Sequence, residues 1–83
     1  MCREEGRYLI CEVKSIIAKK TDYGNRCFLL KTGDVEVWVF QYNSERIFRL
    51  INNAYLRKDK ISVTIYKVHD HYRVQEVHTI EEK

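Results

Sequence analysis

The chain has 83 residues, of which 45% are hydrophobic and 33% charged, with a formal net charge of +3. That length holds one domain, residues 1–83, and burial of only roughly 60–65% of the unfolded surface makes its stability modest. The composition excludes a disordered chain and a histone-like polycation, while the mild basic excess permits a nucleic-acid partner without requiring one.

Residues 1–6 and the tail 81–83 read as frayed ends around an ordered core of residues 7–80. Cys2, Cys11 and Cys27 are odd in number and lack the close pairing of a zinc site. They are expected to be reduced, structural thiols of an intracellular protein. The N-terminus lacks a charged-then-apolar leader, and no apolar run approaches the ~20 residues of a membrane span. A cytoplasmic or nucleoid-associated location is the resulting expectation.

In residues 7–18, Leu9, Cys11 and Val13 alternate with Glu12 and Lys14, the period of a half-buried strand. The phase blurs at Ile16-Ile17, where a bend lets one long strand curve and serve two sheets. Residues 19–25 form a polar loop in which Gly24 and Asn25 tolerate positive φ. Residues 26–32 and 35–40 make a hairpin about Gly33-Asp34. Val35, Val37 and Val39 alternate with Glu36 and Trp38, so the valines face the core and the tryptophan faces out. On the partner strand Phe28 and Leu30 point inward, with Leu29 and Lys31 outward.

Residues 43–57 are the one predicted helix. Asn43 or Ser44 caps it, and Ile47, Leu50, Ile51, Ala54 and Tyr55 form an apolar stripe backed by Arg46, Arg49 and Asn53. Residues 61–68 and 72–80 are two further strands joined through His69-Asp70-His71, with Ile61, Val63 and Ile65 facing in. The fold class is therefore all-β with one helix, in the order β-β-β-α-β-β. Five short antiparallel strands hide their edges most economically in a closed barrel, and the helix plugs its open end.

That order matches the OB-fold, a five-stranded Greek-key barrel. The run Lys20-Thr21-Asp22-Tyr23-Gly24 before an apolar strand, an acidic turn at Asp34 and then Val37-Trp38-Val39-Phe40 resembles the nucleic-acid-binding OB modules. Such modules occur in bacterial replicative polymerase subunits, in anticodon-binding domains of tRNA synthetases and in archaeal replication protein A. Residues 56–63 resemble their lead into the fourth strand, except that Lys58 stands where a glycine is usual. The likeness spans nearly the whole chain through short motifs. It implies that strands two and three carry the ligand face, flanked by the loops between strands one and two and between strands four and five.

On that mapping the candidate nucleic-acid-binding residues are Lys14, Lys19, Lys20, Tyr23, Arg26, Lys31, Trp38, His71, Tyr72 and Arg73. Trp38 supplies an outward stacking plane, and Tyr23 sits at a loop tip between Lys19, Lys20 and Arg26, so bases cover rings while phosphates meet cations. His69 and His71 alone are too few ligands for a metal, and no cofactor is implied. No nucleophile with a base, glycine-rich phosphate cradle or paired carboxylates points to an enzyme. The leading expectation is a non-catalytic binder of single-stranded nucleic acid, with DNA ahead of RNA. The alternative is a protein-interaction subunit of a replication or telomere-type complex, gripping a partner or its own copy by the barrel face or the helix back. RNA binding of the anticodon-domain kind is the third.

Overall fold

In a computed structural model that describes residues 2–80, the chain forms seven strands and one helix. In order they are β1 (Cys2–Glu5), β2 (Tyr8–Glu12), β3 (Ser15–Lys20), β4 (Arg26–Lys31), β5 (Glu36–Phe40), α1 (Glu45–Arg57), β6 (Ile61–Val68) and β7 (His71–Thr79). They assemble into two antiparallel sheets, β1-β2-β6-β7 and β3-β4-β5.

The expected long first strand is divided at Val13-Lys14, three residues before the predicted bend. The Val13 N–H donates to the Ile61 carbonyl at 3.0 Å, and the next N–H, of Lys14, donates to the Lys31 carbonyl at 2.7 Å. Two consecutive residues thus transfer the chain from β6 to β4. The strand does serve two sheets, and the change of partner fixes where it bends.

The five-stranded OB barrel is not what forms. Five strands precede the helix instead of three, and the two sheets do not close on each other. β5 and β7 run side by side without a hydrogen-bonded ladder. A cleft of about 90 Å³, lined by Phe40, Ile47, Tyr66 and Val74 among others, lies where that ladder would be.

The N-terminal residues are not frayed. β1 pairs with β2 across a turn at Gly6, whose φ of +63° suits a residue without a Cβ. The register sets Cys2 opposite Cys11, and the two form a disulfide; Cys27 remains a buried free thiol. The expectation of three reduced cysteines is therefore corrected at two of them. The Cys2 N–H also donates to Asp34 Oδ2 at 2.8 Å, tying β1 to the β4–β5 hairpin of the other sheet. Met1 and the predicted frayed tail at 81–83 lie outside the described residues.

Inward phases follow the alternation read from the sequence. Phe28, Leu30, Val37, Ile61, Val63 and Ile65 are buried, and Cys11 and Ile51 join them between the sheets and the helix. Leu29 points to the opposite face as expected, yet it is buried there too. Helix α1 begins after Ser44, whose Oγ accepts the Ile47 N–H at 3.4 Å. Its buried side is Ile47, Phe48, Ile51 and Ala54, so the stripe is rotated from the predicted one, and Leu50 and Tyr55 are on the exposed flank. Phe28 explains the rotation: its ring meets Phe48 at 5.1 Å and Tyr55 at 5.5 Å, drawing Phe48 under the helix. On the helix back Arg46 engages Glu76 with a two-pronged contact, 3.3 Å on each prong, which holds the Glu76 carboxyl below its ordinary range.

The helix ends on Lys58 at φ +59°, ψ +34°, with its N–H turned back to the carbonyls of Ala54 and Tyr55. This left-handed cap is the position where glycine is usual, and a side chain there costs about 1–2 kcal/mol. Lys58→Gly is expected to stabilise the fold by about 1 kcal/mol, read from the urea midpoint; an unchanged midpoint would show that the cap is unstrained. Unfolded without reductant, the chain is expected to present one reactive thiol to a colorimetric reagent, rising to three after reduction. Three thiols before reduction would remove the covalent link between β1 and β2.

Candidate nucleic-acid interface

The outer face of β3-β4-β5 is built in rows across the sheet. One row is Ile17, Leu29 and Trp38; the next is Lys19, Cys27 and Phe40. Leu29 and Cys27 are the middle members and are buried, so the outer side chains close over them. Burial pushes the Cys27 thiol up, and the Lys19 ammonium partly opposes the shift. Trp38 stays 43% exposed beside the buried Leu29 of its row.

Along β5 the rings form a stacked series. Trp38 and Phe40 have centroids 6.2 Å apart and planes 10° from parallel, and Phe40 and Tyr42 are 5.4 Å apart at 21°. Strand alternation places residues 38 and 40 on one face. The turn after the strand then carries Tyr42, 69% exposed, into line with them. Lys19 Nζ stands 5.6 Å from the Trp38 ring centre, within cation–π range.

Trp38 and Phe40 of this series form one side of a groove of about 440 Å³, and Tyr42 lies outside its lining. Lys20, Thr21 and Asp22 close it from the β3–β4 loop, and His71, Tyr72 and Arg73 from the start of β7. The loop is pinned by its own backbone: Thr21 Oγ1 accepts the Asn25 N–H at 3.1 Å, Thr21 N–H donates to the Asn25 carbonyl at 2.8 Å, and Gly24 turns at φ +84°. On the other side His71 Nδ1 lies 3.4 Å from Asp70 Oδ1 at the hairpin tip. The groove lining holds Lys20 and Arg73 against Asp22 and Glu36, so its fixed charges cancel. Lys19 at the margin is the surplus cation.

Six of the ten predicted residues meet here: Lys19, Lys20, Trp38, His71, Tyr72 and Arg73. Four do not. Tyr23 is at the loop tip, 93% exposed, outside the groove lining. Arg26 turns to the helix, where Nη2 donates to Asn52 Oδ1 at 3.2 Å and the guanidinium lies 5.8 Å over the Phe48 ring. Lys31 shares Trp38's face but stands opposite Glu36 at the far, hairpin end. Lys14 lines a separate cavity by the end of α1. Phe40 and Tyr42 were not among the predicted residues. Phe40 was available from the same alternation that exposed Trp38, whereas the placing of Tyr42 depends on a turn that no periodicity describes.

The arrangement offers flat apolar planes, an adjacent ammonium and hydrogen-bonding groups at both walls. Among the described residues, no group of three or more His, Cys, Asp or Glu is gathered in a form that could hold a metal ion. No described helix is long and apolar enough to cross a membrane. Comparison with protein-family models, curated proteins and solved structures finds no match to this chain.

Proposed function

We propose that this protein is a non-catalytic binder of single-stranded nucleic acid, held along the β5 groove. The observation that carries this reading is the near-parallel series Trp38, Phe40 and Tyr42 with Lys19 over its first ring. Unpaired bases have both faces free to stack on such planes, which a duplex does not. The ring spacing of 5.4–6.2 Å exceeds the roughly 3.4 Å rise per nucleotide of a stacked strand, so it suits an extended strand.

Stacking outweighs charge in this reading. Each base on an aromatic plane contributes roughly 1–3 kcal/mol. Lys19, Lys20 and Arg73 are the phosphate contacts, and the carboxylates of Asp22 and Glu36 oppose the last two. Three neutralised phosphates on a single strand give a slope of log K against log salt of about −2. The proposed location, cytoplasm or nucleoid, meets a counter-argument in the Cys2–Cys11 pairing, since disulfides persist mainly in oxidising compartments.

Titration with oligo-dT and oligo-rU at low salt is expected to quench the fluorescence of Trp38, the one tryptophan, and the two ligands rank DNA against RNA. Dye-labelled oligonucleotide anisotropy is expected to show Trp38→Ala weakening binding by roughly 1–3 kcal/mol, with a salt slope of about −2 or shallower in the parent. Absence of quenching with either ligand at low salt would sink the proposal. Undiminished affinity in a folded Trp38→Ala variant would move the site elsewhere.

A further inference from the structure

We propose a second binding site, at the opposite end of α1 from its Ser44 cap, that takes an acidic peptide with apolar anchor side chains. The cavity there has a volume of about 540 Å³, in the range of pockets that enclose ligands. It shares no lining residue with the β5 groove. Its base is buried and apolar, made of Val13, Ala54 and Ile61. Its margin keeps Leu56, 68% exposed, and Tyr55 in contact with solvent. A leucine left so open in the last turn of a helix gains nothing from the fold, and an apolar side chain entering the cavity would cover it.

Charge identifies the occupant. Lys14 lines the cavity from the bend between the sheets, and Lys58 lines it from the helix cap. Asp59 is the one acidic residue among the described lining residues, so these two lysines outnumber the carboxylates there. Cations beside an aliphatic hollow complement a chain that alternates carboxylates with leucine-like side chains. A nucleic-acid strand fits less well, because Tyr55 is the one aromatic ring among the described lining residues and offers no series of planes. A bilayer fits less well because the apolar groups line a hollow and do not form a protruding face.

The test uses the full chain and a fluorescein-labelled synthetic peptide with Leu and Phe at i, i+4 spacing among Asp and Glu residues. Anisotropy is expected to rise to saturation, and a matched peptide with Lys and Arg in place of the acids is expected not to bind. Leu56→Glu and Lys14→Glu, both at exposed positions and checked for folding by circular dichroism, are each expected to lower peptide affinity at least about tenfold. Leu56→Glu is expected to leave oligo-dT binding unchanged, which separates this site from the groove. No binding by the acidic peptide, equal binding by the basic one, or indifference to both substitutions would overturn the proposal. Displacement of the peptide from its site by oligo-dT or by phosphatidylserine vesicles would also overturn it, in favour of a polyanion or a lipid surface.

Discussion

Two successive backbone hydrogen bonds, from Val13 to Ile61 and from Lys14 to Lys31, hold the two sheets in one orientation. An extended chain has its donors on alternating sides, so neighbouring residues address different partners without breaking the backbone. This lets one short segment act as a corner. The core depends on it, because Cys11 belongs to one sheet and Phe28 and Leu30 to the other, and they meet only at that angle. The covalent tie between Cys2 and Cys11, with the Cys2 N–H on Asp34, reinforces the same corner from outside.

The β5 surface illustrates how packing produces an exposed feature. An aromatic ring on a sheet is held flat only if something beneath it is filled, and here Leu29 and Cys27 fill that layer. The side chains above are then restricted before any ligand arrives, which reduces the entropy lost on ordering them. Cancellation of charge within the groove has a second effect. It leaves the groove without a strong field of one sign, in keeping with the modest net charge of the chain.

Much of this was legible in the sequence where a single period rules. The valines of β5 and the inward isoleucines and valine of β6 fell where alternation places them, and with them the outward Trp38. Legibility ended where partners change. The bend at Val13 is set by which carbonyls lie opposite, and the rotation of α1 is set by the ring of Phe28, neither of which is local. The first strand was hidden because three exposed residues after a half-buried Cys2 carry no apolar pattern, and only the register facing Cys11 reveals it. Closure into a barrel follows from the cost of free edges, and β5 and β7 evade that argument by adjoining each other without a ladder. For the site, cations near Trp38 in sequence were taken together, yet strand alternation and the helix sent Arg26 and Lys14 away.

The unladdered neighbours β5 and β7 set the bore of the adjoining channel. A hydrogen-bonded pair fixes its spacing near 4.8 Å whatever the side chains, whereas β5 and β7 adjoin without a ladder beside a cleft lined by Ile47, Tyr66 and Val74 among others. The separation of these two strands is thereby left to side-chain packing in place of backbone hydrogen bonds. Evolution or engineering can regauge the channel one residue at a time without disturbing either sheet.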